Sequence, residues 1–213
     1  MFADEAYIDR RRLANDVVSI ANPLAHMLDV KRAVNVVKIF SGKWHISKNG
    51  DEMLSTILGS CVAVCMRDPS TGVGGMNHFL LPSAYNESDE VCASARYGAY
   101  AMECLINGLL DAGAKKERFE VKVFGGGNIL KNGSRIGSIN AAFIRDYLKR
   151  ERYRIVSEDL EGELPRRLHY YPASGRVMLR HLRRVDDLAV MEEEDRYSKL
   201  IISKPIEGSI ELF

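Results

Sequence analysis

Two hydrophobic rhythms run along this chain and divide it into strands and helices. Residues 34–40 (VNVVKIF), 43–47 (KWHIS), 53–58, 119–124 (FEVKVF), 153–158, 167–171 and 176–181 are short and rich in β-branched or alternating apolar residues, which predicts strands. Two further apolar runs flank residues 68–72 (DPSTG). Proline presets φ, Asp and Ser bond nearby amides and Gly accepts positive φ, so these runs predict a hairpin. A second hairpin is predicted at the end of the series, across Pro172-Ala173-Ser174-Gly175. Helical spacing appears at Ala95, Gly98, Ala99, Met102, Leu105, Ile106 and Leu109, predicting a helix over 93–112 with Gly113 as its C-terminal cap. Ile139, Phe143, Tyr147 and Leu148 form the apolar stripe of a second helix, opened by Gly137 and Asn140 and rich in Arg and Lys on its exposed face.

Strands interleaved with helices point to an α/β fold, with a layered, sandwich-like sheet core and two main helices outside it. The rhythm weakens at both ends. Residues 1–33 read as an N-terminal extension with helical spacing at Ile8, Leu13, Val17 and Ile20, and Pro23 opens a second short helix. Residues 186–213, with the acidic run Met191-Glu192-Glu193-Glu194-Asp195, read as a tail. The domain is expected over 34–185.

Charge narrows the possibilities. Thirty basic against 29 acidic residues leave a net charge of +1, which does not favour nucleic acid or an anionic membrane. No apolar run is long enough to cross a bilayer, and no secretory apolar core stands at the N-terminus, so a cytoplasmic protein is expected. The four cysteines, at 61, 65, 92 and 104, are then reduced thiols.

The candidate chemistry lies in the first hairpin. Cys61 follows Leu58-Gly59-Ser60, and His78 follows Gly74-Gly75-Met76-Asn77. Cys61 stands seven residues before the turn begins and His78 six after it ends, so the hairpin brings thiol and imidazole to similar heights on paired strands. An imidazole within reach turns a weakly nucleophilic thiol into a thiolate. Gly59 and Gly75 are expected to let backbone approach the reacting atoms, and amides around Ser60 and Cys61 to face an oxyanion. The structural alternative is ordinary: cysteine is among the most buried residue types, and a strand histidine is often just core. A zinc site of Cys61, Cys65 and His78 falls one ligand short, and Cys65 reads as a small buried apolar residue. Gly125-Gly126-Gly127-Asn128 lacks the spacing of a nucleotide loop and reads as close packing beside Cys61.

The blocks LGSCVAVCMRD (58–68) and GVGGMNHFLLP (72–82) closely resemble the CheD family of chemoreceptor glutamine deamidases. The resemblance continues through Arg96-Tyr97-Gly98, the Phe124-Gly125-Gly126 stretch and IGSIN (136–140). It implies that Cys61 is the nucleophile and His78 its base. It also implies a hydroxyl residue, usually Thr six positions before the cysteine, that orients the imidazole. Ser55 holds that position here and Thr56 follows it, and both remain candidates. The implied reaction deamidates glutamine side chains on the cytoplasmic helices of methyl-accepting chemotaxis receptors without a cofactor, with residues 83–90 and 125–128 as expected substrate contacts. A CheC-like phosphatase is an implied partner, so a non-catalytic adaptor in the response-regulator pathway is the alternative. A cysteine protease or transglutaminase-like enzyme is a third reading. The family's Gly-rich turn before the last hairpin is replaced here by EGELPRRL (161–168), a change expected to leave the nucleophile untouched.

Overall fold

A computed structural model describes residues 34–48, 50–81, 89–129 and 135–182, with side chains of the first helix described from residue 96 onward. The expected N-terminal helices, the acidic run and most of the 83–90 loop lie outside the described residues. In chain order the strands are β1 (Asn35–Lys38), β2 (Lys43–Ser47), β3 (Glu52–Leu58), β4 (Val62–Arg67), β5 (Gly74–Phe79), β6 (Glu120–Gly125), β7 (Ile155–Leu160), β8 (Arg166–Tyr171) and β9 (Arg176–His181). The helices are α1 (Asp89–Asp111) and α2 (Ile136–Arg150). Both expected hairpins form, as β4–β5 and β8–β9.

The strands make two sheets, ordered β1-β3-β8-β9 and β2-β5-β4-β6-β7. The chain is therefore an α/β protein built in three layers: the helices, the five-stranded sheet and the four-stranded sheet. The central position of the five-stranded sheet explains why β4 and β5 are buried along their length rather than on alternate residues, since both their faces are covered. On one face Val62, Val64, Met66 and Phe79 pack with Met102, Leu105 and Leu109 of α1 and Ile144 and Leu148 of α2. On the other, Cys61, Ala63, Cys65, Met76 and Leu80 pack with Leu54, Leu58, Leu168 and Tyr170 of the second sheet. Burying each large apolar side chain contributes about 1.5–3 kcal/mol, so the two interfaces carry the fold.

The neighbouring strands β1 and β2 do not share a sheet: β1 runs parallel to β3, whereas β2 is an edge strand paired with β5. The second helix begins at Ile136, ahead of Asn140, because Gly137 belongs to its first turn. A Cβ at Gly137 would lie 2.3 Å from the Gly127 carbonyl oxygen, so glycine there sets how closely α2 approaches the glycine triplet.

The β4–β5 turn is pinned by Asp68. Its fully buried carboxylate accepts bonds from the Ser70 and Lys115 amides at 2.9 and 3.0 Å and from Nε of Arg118 at 2.9 Å. The Arg118 contact, with help from those amides, lowers the carboxyl from 3.8 to about 2. A depressed folded-state value means stabilisation that is full above about pH 4 and lost as pH falls through 2. Asp68→Asn should therefore lower the urea midpoint at neutral pH, and the gap to wild type should narrow between pH 4 and pH 2. A gap that stays constant over that window would show that the carboxylate's charge does not anchor the turn.

Candidate active site

The chain passes between the two sheets at several points, and these crossings meet around Cys61. Residues 39–42 carry it from β1 to β2, Gly59 and Ser60 from β3 to β4, and residues 161–165 from β7 to β8. The glycine triplet after β6 ties two of them together. The Gly126 amide donates to the Cys61 carbonyl at 2.7 Å, the Gly127 amide to Gly59 at 2.8 Å and the Asn128 amide to Gly162 at 2.8 Å. Gly125 has φ +113°, and a Cβ there would lie 2.1 Å from the Cys61 carbonyl oxygen. Only glycine permits this approach. Asn140, fully buried in α2, closes the frame: its Nδ2 donates to the Ser60 carbonyl at 3.0 Å and its Oδ1 accepts from the Leu81 amide at 2.8 Å.

Within this frame the hairpin register places His78 opposite Ala63. Cys61 lies two residues before Ala63, on the same inter-sheet face. Thiol and imidazole are thus diagonal neighbours on adjacent strands. His78 also pairs with Lys43 of β2, so its strand is held on both sides.

The opposite sheet supplies the partner for the imidazole. Leu54, Thr56 and Leu58 of β3 point inward, and Thr56 Oγ1 lies 2.8 Å from Nδ1 of His78. That hydroxyl already donates its single proton to the Ile39 carbonyl at 2.7 Å. It can only accept from His78, so Nδ1 carries the ring proton. The Ile39 oxygen, 3.4 Å from Nδ1 and an acceptor only, imposes the same assignment. The hydrogen-bond network therefore fixes the tautomer, leaving the lone pair on the buried Nε2.

The sequence-predicted residues separate cleanly. Cys61, His78 and Thr56 share the inter-sheet layer, while Ser55 alternates to the other face of β3, beside Lys38 and His169 in the register. The hydroxyl that meets the imidazole thus stands five positions before the cysteine. Cys65 faces the same layer as Cys61, and burial pushes its thiol well above the usual range. No cluster of three or more metal-ligating side chains occurs among the described residues. Gly75 serves another purpose than expected: a Cβ there would strike the His45 carbonyl and Ile46 at 2.6 Å, so it admits β2 and Leu105 of α1 rather than reacting atoms. In the 161–168 segment, Arg166 is fully buried behind the glycine triplet. Its guanidinium bonds the Asp159 carboxylate and the carbonyls of Asp159 and Glu161, and a Cβ at Gly127 would lie 3.5 Å from its Nη2. This turn therefore backs the loop that holds Cys61. Neither Arg166 nor Asn140 has a motif that announces burial, although Asn140 stands in a helix opening that sequence reading does find.

The chain is similar to proteins already known. The family profile described as CheD chemotactic sensory transduction matches residues 80–181. A protein of Rhodopseudomonas palustris named probable chemoreceptor glutamine deamidase CheD is 51% identical over 83% of this chain and 84% of its own length. Proteins of the same name from Hydrogenovibrio crunogenus and Janthinobacterium are each 46% identical, over 87% and 84% of this chain and 98% and 89% of theirs. A stretch covering 83% of the chain cannot miss Cys61 or His78.

The tautomer is directly measurable. Nitrogen NMR of the His78 ring at neutral pH should show a protonated Nδ1 and an unprotonated Nε2. Thr56→Val should let the two forms mix, and Ser55→Ala should leave the spectrum unchanged. A Nε2-protonated ring in the wild type would show that Thr56 does not set the base.

Proposed function

The chain belongs to the CheD family, and from that membership we propose a deamidase that converts glutamine side chains of chemoreceptors to glutamate through Cys61, His78 and Thr56. The observation that carries the mechanism is the Thr56–His78 bond, which leaves the lone pair on the ring nitrogen remote from Thr56. Nε2 takes the proton of the Cys61 thiol, and the sulfur attacks the side-chain amide carbon. The carbonyl π pair moves to oxygen, where backbone N–H groups of the Ser60 and Cys61 segment stabilise it. Collapse breaks the C–N bond, and the imidazolium gives its proton to the departing ammonia. A thioester remains on Cys61. Water then attacks it with neutral His78 as base, the C–S bond breaks, the thiol recovers its proton, and glutamate leaves.

Burial favours a side-chain amide over a main-chain one. Cys61 has no exposed surface and His78 is 5% exposed. A glutamine side chain is a thin probe, whereas a peptide bond carries residues on both sides. That argues against the protease reading. A cytoplasmic setting, where receptor helices present their glutamines, fits this reading, and no described helix is long and apolar enough to cross a membrane. The family resemblance makes a CheC-like phosphatase the candidate partner, a regulatory role that a Cys61→Ala protein would retain.

Incubation with receptor cytoplasmic fragments should add about 1 Da per modified glutamine with the chain intact, as replacement of NH2 by OH requires. Cys61→Ala and His78→Ala should abolish the gain, and Thr56→Val should slow it by roughly a hundredfold, within the range for an impaired general base. Ser55→Ala should run close to wild type. Undiminished deamidation by Cys61→Ala would refute the mechanism, and a cleaved fragment would establish the protease.

A further inference from the structure

A second hydroxyl reaches the reacting sulfur. Ser41 Oγ lies 3.6 Å from Sγ of Cys61, within range for a bond to sulfur, and the residue is 9% exposed. Beside Gly42 it reads in the sequence only as a turn residue. The structure holds it rigidly in the first crossing between sheets. The Ile39 amide donates to the Ser55 carbonyl at 2.8 Å, the Gly42 amide to the His78 carbonyl at 2.7 Å and the Lys43 amide to the Phe40 carbonyl at 3.0 Å. Ser41 is thereby pinned on both sides, and its hydroxyl meets Cys61 from a different segment than the imidazole does.

While the sulfur is a neutral thiol, either atom can be the donor. A thiolate has no proton to give, so the serine O–H must then donate to it, and hydrogen bonds to ionised acceptors are the stronger kind. We propose that Ser41 is a further catalytic residue, whose hydroxyl donates to the Cys61 thiolate and holds the nucleophile in its reactive form. The proposal rests on the reading of Cys61 as nucleophile. It answers a problem the core itself poses. At Cys65, two strand repeats further along the same face, burial pushes the thiol well above its ordinary range. The titratable or charged groups around this layer include His78 on β5, Lys43 on β2, Cys65 and Arg67 on β4, Glu120 and Lys122 on β6, Tyr170 on β8 and, behind Gly127, Arg166. A serine donor stabilises the thiolate without placing another charge in this layer, and it takes no proton from His78.

The test follows alkylation of Cys61 by iodoacetamide against pH, read on the Cys61 peptide by mass spectrometry, in wild type, Ser41→Ala and Ser41→Thr. The pH profile of kcat/KM on a receptor fragment is measured beside it. Ser41→Ala should raise the alkylation midpoint by about one unit and lower kcat/KM about tenfold on the acid side, with unchanged circular dichroism. Ser41→Thr should restore both. Should Ser41→Ala fail to fold, Ser41→Gly removes the same hydroxyl. An unmoved midpoint, or equal losses in the Ala and Thr variants, overturns the assignment. Alkylation needs no substrate, so it decides on Ser41 even where a receptor fragment is not turned over. Continued deamidation by Cys61→Ala would instead overturn the nucleophile reading beneath it.

Discussion

One hydroxyl proton organises this site. Thr56 belongs to one sheet and His78 to the other, and the Ile39 carbonyl comes from the crossing that joins them. Because the threonine has a single proton and the carbonyl can only accept, the direction of every bond in the chain is determined. A buried hydroxyl left unsatisfied costs about 1–3 kcal/mol, so reversing the order is penalised twice, at the carbonyl and at the ring. The protonated ring nitrogen is therefore set by the packing of two sheets rather than by a local motif. Any displacement of one sheet against the other is felt first at this contact.

The frame around it explains the density of glycine. Backbone segments from both sheets and the α2 amino end converge on the few residues around Cys61, and they approach closer than side chains allow. At Gly125 the positive φ and the Cys61 carbonyl together exclude any Cβ, and at Gly137 the Gly127 carbonyl does so. Asn140 satisfies one acceptor and one donor that the converging loops leave inside the fold. Arg166 does the same for the turn behind them, where its buried charge is matched by Asp159 and by two carbonyls. Polar groups with so many partners favour one geometry over its near neighbours.

Much of this was legible in the sequence because it is local. Turn chemistry at residues 68–72 and 172–175 foretold two hairpins, and the first hairpin alone put Cys61 and His78 on neighbouring strands. The spacing of Met102, Leu105 and Leu109 foretold the buried face of α1. What escaped was non-local. Nothing in residues 34–47 says that β1 and β2 join different sheets, yet that split delivers Ile39 and Ser41 to the site. The choice between Ser55 and Thr56 turned on strand alternation: only the face shared with Leu54 and Leu58 looks toward the histidine. Family spacing favoured the other residue, and the period of two decides against it.

Position along the strand, rather than alternation, distinguishes two cysteines that composition cannot. Cys61 and Cys65 lie on one face of one hairpin arm, both fully buried. Cys65 sits mid-strand, with its backbone in the ladder to β5 and β6 and apolar neighbours from the facing sheet. Burial outweighs the opposing charge of Lys122 there and pushes the thiol up. Cys61 sits one residue before the ladder begins, where the chain has just crossed between sheets and a serine hydroxyl and a tautomer-fixed imidazole belong to the same small volume. A strand end at a crossing brings a buried sulfur to polar groups without opening it to water, and that position, more than the identity of the residue, separates the surroundings of Cys61 from those of Cys65.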